Sequence, residues 1–212
     1  MTESHRPIVI TLGMLKGGSG KTTSAMFIAL RYARSGRRVV VLDADPTSQS
    51  AHDWARLAGD ALPVTVVRHT YDDIADEIGR QAQAHDVVVV DVGGGAPHLL
   101  EAAASVSDVL LMPLAPAAAD ARRVAATLAS AERGAARNRR GLLAYVVIVR
   151  ADGRSAEPAR WREQMQRDGH PLVETTIGAR VLYSRAYGTA PSDVGEYEAL
   201  LAEVEQDLAV NA

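Results

Sequence analysis

Gly13-Met14-Leu15-Lys16-Gly17-Gly18-Ser19-Gly20-Lys21-Thr22-Thr23 decides how this 212-residue chain is read. An apolar, β-rich run, Ile8–Leu12, leads into it, and a helical pattern over Lys21–Arg34 leaves it. Glycines at these positions let the backbone curl so that successive N–H groups point inward at phosphate oxygens. The N-terminus of the following helix adds partial positive charge behind them. Lys21 then reaches the β- and γ-phosphates, and the Thr22 hydroxyl is placed to ligate Mg²⁺. A glycine-rich strand-to-helix turn explains the glycines but neither Lys21 nor Thr22. With Gly17, Gly18, Ser19, Gly20 and Thr23 completing the cradle, the stretch reads as a nucleotide site.

The count of cations supports that reading. The chain has 21 arginines and two lysines, and both lysines, Lys16 and Lys21, fall inside the loop. A compact ammonium is required there, where a planar guanidinium is used almost everywhere else.

Outward from the loop, short β-rich runs alternate with helical stretches. Strands are expected at Ile8–Leu12, Arg38–Leu42, Val64–Val67, Val87–Val90, Val109–Met112 and Leu143–Val149, with a weaker one near Leu172–Thr175. Helices are expected at Lys21–Arg34, Ser48–Leu57, Asp72–Ala84, Pro97–Ala104, Ala118–Ala135, Glu157–Arg167, Ala179–Tyr187 and Asp193–Ala209. Runs such as Val87-Val88-Val89-Val90 are apolar on both faces, as a sheet covered by helices on both sides demands. The pattern predicts a doubly wound α/β domain with a mostly parallel sheet over residues 1–212, with no linker to a second domain.

Composition removes several classes. With no cysteine, a disulfide scaffold, a thiol nucleophile and any Cys-ligated zinc or iron–sulfur site are excluded in this chain. No apolar run approaches the ~20 residues of a membrane span, and residues 1–7 lack the apolar core of a signal peptide. The expectation is a cytoplasmic protein. The six histidines show no metal-ligand spacing.

Lys16-Gly17-Gly18-Ser19-Gly20-Lys21-Thr22-Thr23 departs from the standard phosphate loop, which has glycine where this chain has Leu15. It resembles the deviant Walker A loop of the ParA/MinD family of ATPases. The resemblance continues in Val39-Val40-Val41-Leu42-Asp43-Ala44-Asp45-Pro46, in Asp86-Val87-Val88-Val89-Val90-Asp91 with Gly93, Gly94 and Gly95 behind it, and in Ser107-Asp108 through Pro113, Pro116 and Asp120. Near the end, Ile177-Gly178-Ala179-Arg180 with Tyr183, Arg185 and Gly188 is similar to small ParF-like plasmid partition proteins, which lack an N-terminal helix-turn-helix extension. Met14, Thr47 and Val92 depart from residues common in the family.

The resemblance implies residue roles. Lys16 crosses a dimer interface to the partner's nucleotide, and Lys21 and Thr22 serve the phosphates and metal in their own subunit. Asp45 orients the attacking water, Asp43 supports the Mg²⁺ shell, and Asp91 holds Mg²⁺ through water. It implies an ATPase that turns ATP into ADP and phosphate slowly by itself. It also implies an ATP-bound homodimer, a ParB-like or ParG-like adaptor that stimulates hydrolysis, and non-specific DNA binding with nucleoid association.

The DNA expectation falls on Arg180 and Arg185, with Arg133, Arg137, Arg139 and Arg140 as a second basic cluster. The net charge of −3 gives it no global support. The alternative is a small-molecule enzyme of the same fold, such as a dethiobiotin-synthetase-like ligase, but nothing in the sequence marks a second substrate pocket. A MinD-like membrane switch needs a basic amphipathic C-terminal helix, whereas Glu196–Glu205 is acidic and anionic lipid would repel it.

Overall fold

The structure, a computed structural model, describes residues 6–116 and 121–211. Six strands, β1 (Ile8–Leu12), β2 (Val39–Ala44), β3 (Thr65–Arg68), β4 (Val87–Val92), β5 (Val109–Leu114) and β6 (Leu143–Ile148), form one sheet in the order β3-β2-β4-β1-β5-β6. Every pairing is parallel. Among the described residues eight α-helices accompany them: α1 (Lys21–Arg34), α2 (Ser50–Ala58), α3 (Ile74–Ala84), α4 (Pro97–Ala104), α5 (Ala121–Ala135), α6 (Glu157–Arg167), α7 (Val181–Ser184) and α8 (Tyr197–Asn211).

The valine-rich strand β4 shows why the sheet needs two covers. Val87 and Val89 enter a core with α1, α2 and α8, while Val88, Val90 and Val92 enter a second core with α3, α4, α5 and α6. Alternate side chains of one strand point to opposite faces, so a run of valines feeds both layers. One buried polar pair interrupts the apolar layers: the Thr11 and Ser107 hydroxyls lie 2.7 Å apart, and Ser107 donates on to the Ala103 carbonyl at 2.7 Å.

Phe27, the only phenylalanine, stacks on Tyr197 with ring centroids 5.3 Å apart and meets Tyr183 edge-on at 4.9 Å. Such contacts are worth about 0.5–1.5 kcal/mol each beyond the area they bury. They fasten the last quarter of the chain to α1, directly behind the phosphate loop. Arg31 on α1 adds a two-pronged bond to Glu205 on α8, at 2.7 and 3.2 Å.

Several expected boundaries move. The strands β2 and β4 run on to Ala44 and Val92, so Asp43 and Asp91 are strand residues paired in register. The expected strand near Leu172–Thr175 is a single bridge from Leu172 to Val146. The helix expected over Ala179–Tyr187 shrinks to the one turn of α7. Its first part is pulled straight, because Ala151 donates to the Ile177 carbonyl and accepts from Ala179 N–H, extending the line of β6. The helix α8 begins at Tyr197 rather than Asp193, since the Asp193 carboxylate accepts from Gly195 N–H at 2.8 Å and holds a turn there. Asp120 and the first residues of the helix expected from Ala118 lie outside the described residues. No described helix is long and apolar enough to cross a membrane.

Candidate nucleotide-binding site

The chain leaves β1 and enters α1 through the loop, at the end of the sheet where parallel α/β folds hold ligands. Two contacts fix the loop before any ligand arrives: Gly13 N–H donates to the Leu111 carbonyl at 3.0 Å, and Leu15 N–H donates to the Thr127 hydroxyl at 3.1 Å. Gly20, at φ +99°, turns the chain into the helix in a conformation that side-chain-bearing residues avoid. Lys21 follows as the first helical residue, buried, its Nζ donating to the Lys16 carbonyl at 3.0 Å. Burial pulls its pKa down against the opposing pull of Asp91 and Asp45. The Ser19 hydroxyl is buried with no hydrogen-bond partner among the described residues. A buried hydroxyl without a partner, in a loop of inward-facing amides, is an unmet demand for an anion.

Thr22 donates to the Asp91 carboxylate at 2.6 Å, across the gap between α1 and β4. Desolvation raises the fully buried Asp91 to about 7, with Asp43 and Asp45 adding repulsion and Thr22 and Lys21 opposing it. Among the described residues no three His, Asp or Glu side chains form a ready cage for a metal. One carboxylate beside one hydroxyl, facing a phosphate cradle, is instead the donor set that suits Mg²⁺, which keeps its waters and takes phosphate oxygens.

Asp45 lines the cleft. Its carboxylate accepts from Thr47 N–H at 2.8 Å and from the Ser48 hydroxyl at 2.6 Å. Burial works to raise its pKa, but these bonds and the nearby Lys21 hold it below the usual carboxylate value. Asp43 departs from its expected place in a metal shell. Its two oxygens accept from Asp45 N–H at 3.2 Å and His52 N–H at 2.8 Å, so it ties the Asp45 loop to the start of α2 instead of facing the cleft.

Gly94 explains part of the triple glycine. A Cβ there would stand 2.6 Å from the Lys16 carbonyl carbon, so only glycine lets the segment after β4 lie against the phosphate loop.

The loop, Asp45, Ser48 and Gly94 surround a cavity of about 460 Å³. A more apolar hollow of about 500 Å³ adjoins it, lined by Val149, Ile177, Tyr183 and Tyr197. Arg150, Gly20 and Thr23 border both. Sequence reasoning missed Arg150. It follows β6 at φ +55°, a left-handed conformation uncommon for arginine, and donates to the Gly18 carbonyl at 2.8 Å. Its only sequence signal was its place just after an expected parallel strand. Trp54 and Tyr187, with rings 5.5 Å apart, form an aromatic wall of the first cavity and were likewise missed.

The expected DNA residues fare differently from one another. Arg180 does not stand as a free cation, since Glu196 holds it at 3.2 Å and Asp193 lies 3.8 Å away. Arg185 is exposed. Most of the second cluster is also committed: Arg133 and Arg137 pair with Glu101 at 2.9 and 3.1 Å, and Arg140 pairs with Asp108 at 2.7 Å.

Residues 10–190 match the family described as the CobQ/CobB/MinD/ParA nucleotide binding domain. The chain belongs to that family. Protein ParA of Rhizobium radiobacter is 30% identical over 187 residues, covering 84% of this chain and 82% of its own. The maintenance of carboxysome distribution protein A of Synechococcus elongatus is 46% identical over a shorter 72-residue stretch, 34% of this chain and 29% of its own. Among solved structures, cobyrinic acid a,c-diamide synthase from Mycobacterium smegmatis, with bound ADP and magnesium, superposes with a TM-score of 0.74 at 17% identity, covering 94% of this chain and 96% of its own. A putative plasmid partition protein from Borrelia burgdorferi, bound to AMPPNP, gives 0.69 at 15% identity, covering 95% and 99%. These two likenesses speak for the fold, the parallel sheet flanked by helices.

Proposed function

We propose that the protein is a dimerising ATP switch of the ParA kind, which hydrolyses ATP to ADP and phosphate and positions a cargo such as a plasmid. The observation that carries this reading is the convergence of buried Lys21, the Thr22–Asp91 contact and Asp45 on one cleft beside a glycine-lined loop. In it, Gly17 to Gly20 offer amides to the phosphates, and Lys21 exchanges the Lys16 carbonyl for phosphate oxygens. Thr22 and Asp91 would hold Mg²⁺, and the ion would neutralise charge on the phosphates. Asp45 orients the attacking water, Asp43 fixes the loop that carries Asp45, and the more apolar hollow beside Arg150 takes the base. Lys16, partly exposed next to exposed Gly17 and Gly18, reaches the nucleotide of a second copy.

Non-specific DNA binding by the ATP dimer and stimulation by a ParB-like or ParG-like adaptor complete the proposal. Support for them comes from the ParA relative alone, since Arg180 is paired. The reading separates from a ligase of the same fold by what stimulates turnover. Phosphate release should rise when duplex DNA and a ParB-like adaptor are both added, and should ignore carboxylic-acid metabolites. Stimulation by such a metabolite, with none from DNA and adaptor, would replace the switch by a small-molecule enzyme.

A further inference from the structure

In a parallel sheet every strand begins at the same end, here the end opposite the phosphate loop. Arginines stand before three of these strands: Arg6 before β1, Arg37 and Arg38 before β2, and Arg139 and Arg140 before β6. Among the described residues, Asp86, before β4, and Asp108, before β5, answer them in the same row. Asp108 is buried and accepts from Arg140 at 2.9 and 2.7 Å, from Arg6, and from Val9 N–H at 2.8 Å. Arg38 pairs with Asp86 at 2.7 Å. Neither Arg37 nor Arg139 makes an ion pair among the described residues. Among the described residues, five arginines against two carboxylates in this row leave an excess of positive charge along the edge.

Between the starts of β1 and β6 and the last turns of α8 lies a groove of about 870 Å³, with Arg37 and Arg139 among its lining. Ile8, Leu142, Leu143 and Leu208 also line it, each left partly exposed. Glu205, the carboxylate at its α8 side, is already held by Arg31.

The geometry points to this groove as the docking site for an acidic, partly apolar peptide segment of a partner protein. The arginine fork grips a carboxylate with two parallel bonds, and Arg140 with Asp108 shows that geometry within the site itself. Apolar side chains placed between the acids would cover the leucines and Ile8. A DNA duplex is convex and polar at its surface; it would touch the arginines and leave the apolar lining wet. The groove lies across the sheet from the nucleotide cleft, so its occupancy is independent of nucleotide and does not rest on the proposed ATP switch.

The test uses the full chain, free of nucleotide, and four fluorescein-labelled probes read by anisotropy at low salt. They are a twelve-residue peptide alternating Glu with Leu, the same peptide with Lys for Glu, the same with Ser for Leu, and a short DNA duplex. The Glu/Leu peptide should bind, the Lys/Leu peptide should not, and the Glu/Ser peptide and the duplex should bind more weakly. Arg37→Glu with Arg139→Glu should weaken the Glu/Leu peptide about tenfold, since two reversed surface pairs amount to roughly 1.4 kcal/mol. Neither guanidinium holds an ion pair, so ATP binding should stay at the parental value, and the melting temperature should fall only slightly, through the field of half-buried Arg37 on Asp86.

Equal binding of the Glu/Ser peptide would overturn the apolar half of the proposal, and tighter binding of the duplex would reassign the edge to nucleic acid. Absence of Glu/Leu binding by the parent, or binding unaffected by the double reversal, would overturn it outright. Self-association that the double reversal abolishes would assign the groove to a second copy. Much tighter binding by a chain starting at Arg6 would assign it to residues 1–5.

Discussion

The two ends of the sheet handle charge in opposite ways. At the strand starts, carboxylates meet arginines directly: Asp108 with Arg140 and Arg6, Asp86 with Arg38. At the strand ends, Asp45 and Asp91 act on a single buried ammonium, that of Lys21, with Asp43 beside Asp91, and no arginine pairs with any of the three among the described residues. Burial pushes Asp91 up and Lys21 down, so both charges are held short of their ordinary stability. At the strand starts the paired acids are structural and leave only the surplus of Arg37 and Arg139, whereas at the strand ends Asp91 and Lys21 are held against desolvation in a place suited to phosphate and a cation. The difference also explains the segregation of lysine, since a buried point charge can switch from a carbonyl to a phosphate within a space that a guanidinium fork would fill.

The largest expected break in this contrast is Lys21→Ala. It removes the only buried ammonium of the cleft, and ATP affinity measured calorimetrically should fall at least about a hundredfold, the equivalent of two lost charge-assisted bonds. Unchanged affinity would show that the loop amides suffice.

Next comes a pair of substitutions that should move stability in opposite directions. Asp108→Ala strands Arg140 and Arg6 and should cost about 3 kcal/mol in urea unfolding. Asp91→Asn removes a buried carboxylate that lacks a full partner and should stabilise the ligand-free protein at pH 8 by ~2 kcal/mol. The sign follows from proton uptake. Between the ordinary 3.8 and about 7, folded Asp91 keeps a proton that the unfolded chain releases. Its contribution therefore turns increasingly unfavourable as pH rises through that window, and stability falls. The Asn variant should lack that slope, and its gain should vanish near pH 4. If both substitutions destabilise equally at pH 8, the contrast between the two ends fails.

The smallest effect concerns DNA. With ATP present, Arg185→Ala should flatten the log–log salt dependence of duplex binding by about two units per dimer, one phosphate for each subunit. Arg180→Ala should flatten it less, because Glu196 and Asp193 already hold that guanidinium. The reverse order would mean that the Arg180 pairs open on DNA.

What could be read from the sequence follows how local each feature is. Lys21–Arg34, Pro97–Ala104 and Glu157–Arg167 came out at their expected ends because periodicity and the residues at their boundaries decide them. Lys16 to Thr23 were legible as one strand-to-helix loop because neighbouring residues make it. The segment around Arg180 was not, for its shape depends on Ala151 pairing with Gly178 and its charge on Glu196. Arg150 escaped for the same reason: its partner, the Gly18 carbonyl, lies 132 residues away, and no spacing advertises it. The hydrogen bonds of Asp43 were not legible. A DxD pattern reads as two acids for one site, whereas the turn into α2 takes the first of them for its amides.

The central claim is that this cleft closes on ATP only with a second copy, through Lys16. Light scattering of the parent and of Lys16→Ala, each with ATP and Mg²⁺, tests it most directly. The parental mass should double with ATP, and the Lys16→Ala protein should bind ATP with near-parental affinity yet keep the mass of a single chain. A Lys16→Ala protein that dimerises as the parent does would contradict it.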